Sequence, residues 1–270
     1  MRLLPARLAA AGLLVAASLC AAPALAQFRV PRDYFLNPPR AGTVATLDAY
    51  TLGFQAALER RAHLEEGMSM ITVRASGVAS LPYAEGALNM DIRLLFLSIG
   101  GSAGYRYEWR HIGFREDEAM DRDARSTYED DDRLTTQGYG FAEARARLAI
   151  PLERLLLVTE GAARYEHRPD DSFDYVYSTV YDQGMLWRGE ATLFLRDAEL
   201  GAIGPYGRVL DLPGRGVQYG FGVAAGIRPG ILGSRDLMLL RLVFSPTDEL
   251  FGNTYGPLHA LFVYRVELKI

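Results

Sequence analysis

The sequence predicts an all-β chain: a transmembrane, antiparallel up-and-down β-barrel of about ten strands, with twelve or eight as the alternatives. Three observations carry this reading. An alternation of apolar and polar residues with period two runs from about Thr43 to the last residue, which gives each strand one apolar and one polar face. Short turns alternate with long polar loops, as they do when the two ends of a barrel face different compartments. The first 26 residues have the form of an export signal, and no later stretch holds ~18 uninterrupted apolar residues, so no helical span follows it.

The elements follow in order. Arg2 and Arg7 give residues 1–26 a positive start, Leu8 to Leu19 form a small-apolar stretch, and Ala24-Leu25-Ala26 offers a small-x-small cleavage site before Gln27. Cleavage there removes Cys20, so the mature chain carries no disulfide and no thiolate metal site. Leu19 stands where a lipidation motif wants a small residue. Residues 27–42, with Pro31, Pro38 and Pro39, read as an extended periplasmic leader, and residues 43–270 as the barrel. Residues 43–60 read as one strand, although Leu47, Tyr50, Phe54 and Leu58 also fit a helix face. Residues 87–113 read as one long strand, because parity runs unbroken through Gly100-Gly101. The alternation is cleanest over 140–150, 183–196, 217–228 and the C-terminal segment. Short connections fall at 81–86, 151–154, 196–199 and 229–235, and longer ones at 59–67, 114–134, 167–182 and 246–255. The link at 213–216 is short where a long one is expected. Both termini then lie at the short-turn end. Phe173, Tyr175, Tyr177 and Tyr181 suggest that 167–182 is a hairpin standing above the membrane.

In a membrane barrel the apolar face meets lipid and the polar face lines the lumen. Tyr105, Tyr107, Trp109, Tyr165, Trp187 and Tyr219 fall on the apolar face where strands cross the outer interface, the level at which such rings settle. The opposite face mixes charge with small residues. Its predicted lumen-lining residues are Arg106, Glu108, Arg110, Glu143, Arg145, Arg147, Glu160, Arg164, Arg188, Glu190, Arg208, Arg241, Arg265 and Glu267. Adding Arg74, Arg93, Glu59 and Glu166 gives eleven inward arginines against seven inward acids, an excess of four positive charges. This set suits either a basic-lined channel or an ion-pair lattice that fills a narrow barrel.

The end of the chain, Phe262, Tyr264, Val266, Leu268 and Ile270, resembles the C-terminal signal of bacterial outer-membrane proteins, departing from it in the final non-aromatic residue. The resemblance is to that class and covers roughly 43–270. It implies the outer membrane of a Gram-negative bacterium, contact with the lipid bilayer and lipopolysaccharide, and recognition of the last strand by the barrel-assembly machinery.

Chemistry is sparse. His63, His111, His167 and His259 lie in no zinc-binding spacing, so no metal and no cofactor is expected. The outer-membrane phospholipase and lipid A deacylase classes need a His–Ser pair on the lipid-facing wall, and no His-x-Ser occurs here. His167 with Asp170 and Asp171 is the one pairing of the kind omptin proteases use. The loop at 114–134 holds nine acids without the spacing of an EF-hand. The net charge of −4 argues against nucleic acid as a partner. No catalytic residue is therefore assigned. The expected function is a non-enzymatic outer-membrane barrel, either a narrow pore or a plugged structural barrel. The alternatives are a barrel enzyme acting on lipid or peptide at the cell surface, and a soluble exported lipocalin-like binder.

Overall fold

The computed structural model describes residues 41–50, 53–65, 69–114, 133–177, 179–197, 201–227, 237–246 and 258–269. The predicted signal peptide with Cys20, the leader up to residue 40, the nine acids of the 114–134 loop and Ile270 lie outside the described residues.

The strands are β1 (Gly42–Tyr50), β2 (Gly53–Glu65), β3 (Ser69–Ser80), β4 (Tyr83–Leu94), β5 (Leu97–His111), β6 (Thr135–Leu152), β7 (Leu155–Glu166), the short β8 (Ser172–Asp174) and β9 (Thr179–Tyr181), then β10 (Gly184–Asp197), β11 (Gly201–Leu212), β12 (Gly216–Ile227), β13 (Leu237–Phe244) and β14 (Leu258–Lys269). All but β8 and β9 join in one closed barrel of twelve strands, each antiparallel to its neighbours. The seam is β1 on β14, from Val44 opposite Lys269 to Tyr50 opposite Val263. β8 and β9 pair only with each other.

Twelve strands replace the expected ten because two segments fold back on themselves. Residues 43–60 are not one strand: β1 and β2 pair antiparallel, with Tyr50 opposite Gly53. Residues 87–113 split at Leu95-Phe96, where Leu94 faces Leu97 across a two-residue turn. That turn carries none of the residues that ordinarily supply a positive φ, yet Leu95 adopts φ 48°. Glu153 does the same at φ 51° in the turn between β6 and β7. The glycine pair sits in mid-strand for a different reason. Gly100 faces Asp91 across the ladder, and a Cβ on it would fall 2.3 Å from Asp91 Oδ1 and 2.6 Å from the Met90 carbonyl oxygen.

The extra turns also settle which connection belongs to which end. The β1–β2, β3–β4, β5–β6, β7–β10, β11–β12 and β13–β14 connections share one end. The other five share the end that holds Gly42 and Lys269. The 59–67 link therefore joins the short-turn end, and the turn after Ser80 joins the long-loop end, the reverse of the expectation for both. The 213–216 link falls at the long-loop end, as the alternation expects.

The wall separates two chemistries. Outward residues include Phe54, Leu88, Ile99, Trp187, Leu195, Ile203, Tyr219, Phe221 and Leu268, all exposed. Inward residues on the same strands include arginine, carboxylate, tyrosine and small side chains, with apolar ones such as Leu186, Phe194 and Leu210 among them. Replacing Gly100 by alanine should destabilise the barrel by about 1–3 kcal/mol, because the added methyl has backbone and a buried carboxylate against it. Gly161→Ala is the control, since a Cβ there meets nothing within 4 Å. Urea titration of both variants in detergent micelles measures the difference.

Candidate functional site

An eight-stranded barrel is about filled by the side chains of its own wall. Twelve strands enclose more space, and the question is what occupies it. Part of the answer is a lattice of ion pairs. Arg145 lies against Asp91 through Nε and Nη2 (3.1 and 2.9 Å) and reaches Glu143 with Nη1 (3.2 Å). Arg265 grips Asp48 at 2.6 and 2.5 Å across the seam. Arg188 and Arg147 share Glu160, the first at 2.6 Å. Arg164 holds Glu166 at 2.5 Å. Arg61 bridges Glu59 and Glu267. Arg241 contacts Glu190 at 3.3 Å and the Tyr206 hydroxyl at 2.9 Å, and Arg208 donates to Ser245 at 3.0 Å.

The structure thus places thirteen of the fourteen predicted lumen residues on the inner face. Arg110 is the correction: it is exposed. The register slips between Glu108 and His111, and the Trp109 and Arg110 N–H groups both lie near the Pro82 carbonyl oxygen (3.1 and 3.4 Å). This bulge adds one residue, so the inward position passes from Arg110 to His111.

The expected positive excess also changes. Among the described residues, the inward arginines are 61, 74, 93, 106, 145, 147, 164, 168, 188, 208, 241 and 265, twelve in all. Eleven carboxylates answer them: Asp48, Glu59, Glu85, Asp91, Glu108, Glu143, Glu160, Glu166, Asp174, Glu190 and Glu267. Among the described residues the excess is one, against the expected four. Asp91 is not among the acids read as inward from the sequence; the Leu95-Phe96 turn reverses parity, so odd residues face inward in β4 and even residues in β5, and Asp91 shares its face with Arg93. Glu85 lay in a segment read as a turn, and Asp48 in the segment where helix and strand competed.

The rest of the lumen is taken by the chain itself. The β8–β9 hairpin does not stand above the barrel as expected. It folds inside, with Phe173, Tyr175, Val176, Tyr177, Val180 and Tyr181 buried against Tyr50, Val78, Tyr83, Leu186, Leu210, Leu212, Leu239, Leu261 and Val263 of the wall. Alternating aromatics announce a hairpin but not the side on which it packs; the apolar inner face at the loop end decides that. Phe173 and Tyr175 meet edge to face at 5.0 Å.

Asp174 fixes the hairpin. Its Oδ2 accepts from Arg106 Nη1 (3.1 Å) and Arg168 Nη1 (2.9 Å), with the Tyr181 hydroxyl at 3.2 Å. Its Oδ1 accepts the N–H groups of Val176 and Tyr177 at 2.7 and 2.8 Å, which shapes the tip. Arg106 also carries Glu85 on Nε and Nη2 (2.9 and 2.7 Å) and stacks on the Tyr83 ring, while Arg168 stacks on Tyr181. Burial, with Asp174 and Glu166 nearby, lifts the Tyr181 hydroxyl well above the usual phenol range and keeps it a proton donor. At the rim, Arg215 pairs with Asp171 and lies 3.8 Å from Asp182, and Asp170 accepts the Gln183 N–H at 2.8 Å. His167 is exposed, and the two acids proposed as its partners are engaged in these rim contacts.

Two further features were not foreseen. Glu108 Oε2 lies 2.9 Å from His111 Nδ1, and His111 Nε2 lies 3.5 Å from Ser172 Oγ on the hairpin. Near the short-turn end, Leu156, Val158, Phe194, Tyr206, Ala224 and Val243 form a second apolar cluster inside the barrel. On β3–β6 a cavity of about 20 Å³, room for about one water, is lined by Met70, Thr72, Asp91, Arg93, Ser98, Arg145 and Arg147.

A closed antiparallel barrel with an even strand number, apolar outside and charged inside, has the architecture of a bacterial outer-membrane β-barrel. No family model and no curated protein matches the chain. Among solved structures it is similar to LpxR from Salmonella typhimurium, with a TM-score of 0.38 and 8% identity over 84% of this chain and 99% of that one. It is also similar to the translocator domain of autotransporter NalP from Neisseria meningitidis, with a TM-score of 0.37 and 12% identity over 86% of this chain and 89% of that one.

Asp174→Ala leaves Arg106 and Arg168 facing a lost partner, a change of about 3–5 kcal/mol for a buried pair. The hairpin should then undock. Thr179→Cys, at a buried position, reads this: maleimide should modify it slowly in the parent barrel and rapidly once Asp174→Ala is added.

Proposed function

We propose that the protein is an outer-membrane β-barrel of a Gram-negative bacterium whose lumen is closed, so that it serves as a plugged structural barrel rather than as a solute pore. The observation that carries this is the β8–β9 hairpin, which lies inside the barrel with Asp174 held by Arg106 and Arg168. The near balance of inward charge supports it as well, because a lattice that neutralises itself has little charge left to select a permeating ion. Bilayer and lipopolysaccharide are the surroundings that fit the outer wall. Tyr105, Tyr107, Trp109, Tyr165, Trp187 and Tyr219 are all outward and exposed, on strands that run up to the long-loop end. The lipocalin-like reading fits poorly, since it requires the apolar face inside and the charges in water.

Reconstituted into planar bilayers, the intact barrel should show no steady conductance. Replacing residues 171–181 by a short Gly-Ser link should produce ohmic steps with weak ion selectivity. Steady conductance of the intact protein would overturn the closed reading. The membrane setting has its own test. Leu240→Arg, on the mid-wall of β13, should reduce stability in lipid by about 2–4 kcal/mol, and Trp187→Arg, at the aromatic level, by about 0–1. Equal stability of Leu240→Arg and wild type in lipid would contradict a lipid-facing wall.

A further inference from the structure

We infer that Ser172, His111 and Glu108 form a latent acyl-transfer site at the long-loop end of the barrel, with carboxylic esters as its substrate class. The inference goes beyond the closed-barrel reading and needs no open lumen. Glu108 and His111 come from the end of β5 and Ser172 from the plug hairpin. The carboxylate lies 2.9 Å from Nδ1 and the hydroxyl 3.5 Å from Nε2. A carboxylate on Nδ1 keeps that nitrogen protonated and turns the Nε2 lone pair toward the hydroxyl, the arrangement by which an imidazole activates a serine. Distances of this kind are often looser before substrate binds.

Three features exceed simple proximity. Residues 108 and 111 of a regular strand face opposite sides, and only the bulge between them brings both inward. The Tyr139 hydroxyl donates to the other oxygen of Glu108 at 2.8 Å, so the positioning carboxylate is itself positioned. Gly113 is partly exposed, and a Cβ on it would rest against Nε2 at 3.5 Å, so glycine leaves no side chain of its own on that side of the buried ring.

In the closed state Ser172 is buried and its hydroxyl donates to the Pro169 carbonyl oxygen at 2.7 Å. Activity requires the O–H to turn to Nε2 and the rim contacts of Arg215 with Asp171 and Asp182 to open, while Ser172 stays paired with Gly113 beside His111. Ser172 Oγ then attacks the ester carbonyl carbon while its proton passes to Nε2. The tetrahedral adduct collapses, the carbon–oxygen bond to the alcohol breaks, and the alcohol leaves with that proton. Water repeats the sequence on the acyl-serine, His111 taking its proton and returning it to Ser172, and the acid is released. The net reaction is ester plus water to acid plus alcohol.

The test is labelling of the full barrel in detergent micelles with a fluorophosphonate, the modified residue being identified by mass spectrometry. Ser172 should be modified slowly in wild type and several-fold faster in Arg215→Ala. His111→Gln should abolish labelling. Glu108→Asp should label faster than Glu108→Gln, and in wild type the labelling rate should rise with pH as the His111 imidazole loses its proton, a dependence that a purely structural carboxylate would not give. Heat-modifiability on gels confirms that each variant is folded. Folded wild type and folded Arg215→Ala that both leave Ser172 unlabelled would overturn the site. So would labelling of Ser172 that survives His111→Gln.

Discussion

A guanidinium that points into a narrow barrel must find a carboxylate, because burying an unpaired charge costs more than the strand pairing around it returns. That requirement organises this molecule. It couples strands that are not neighbours in sequence, as where Arg265 and Asp48 meet across the seam of the chain's two ends. It demands glycine at position 100, where only a missing side chain lets Asp91 lie flat enough to take Arg145 through both Nε and Nη2. It also reaches into the loop, since Arg106 engages Glu85 and Asp174 together and ties the wall to the plug.

The hairpin follows from strand number as much as from sequence. With twelve strands, the wall's own side chains leave room at the loop end, and the inner face there carries an apolar patch beside its charged residues. Empty apolar space forfeits packing contacts, and a segment carrying Phe173, Tyr175, Tyr177 and Tyr181 supplies them. Polar locks then sit around this apolar centre: Asp174 at the tip, and Asp171 and Asp182 at the base. Packing fills the space, and the ion pairs set the register of what fills it.

Much of the wall was legible because period two is a property of the backbone. Over 183–196 and 217–227 the alternation itself is kept, with Trp187 and Tyr219 out and Arg188 and Gln218 in, while Leu186 and Phe194 take inward positions despite their polarity. The strand count was not legible. Leu95-Phe96 turns the chain without glycine, asparagine or proline, and it does so where apolar residues continue the pattern. The same turn shifts parity, so that Asp91 and Arg93 face inward in β4 while even residues do so in β5. The bulge that exposes Arg110 and turns His111 inward has no local signature either; it shows only against the opposing strand. Site residues that depend on such slips, His111 and Ser172 among them, are brought together by pairing across distant segments.

The hairpin's surroundings have a further consequence for the order of assembly. It shares one buried cluster with Leu186 and Leu210, which follow it closely in the chain, but also with Tyr50 of β1 and with Leu261 and Val263 of β14. Those last strands meet only when the two ends of the sheet join. The segment between β7 and β10 therefore has an open flank for as long as the sheet is a curved ribbon, and loses it at the moment of ring closure. The final pairing event, formally a matter of seven opposed residue pairs at the edge, is also the event that completes the interior. A barrel built this way finishes its inside and its outside in one step.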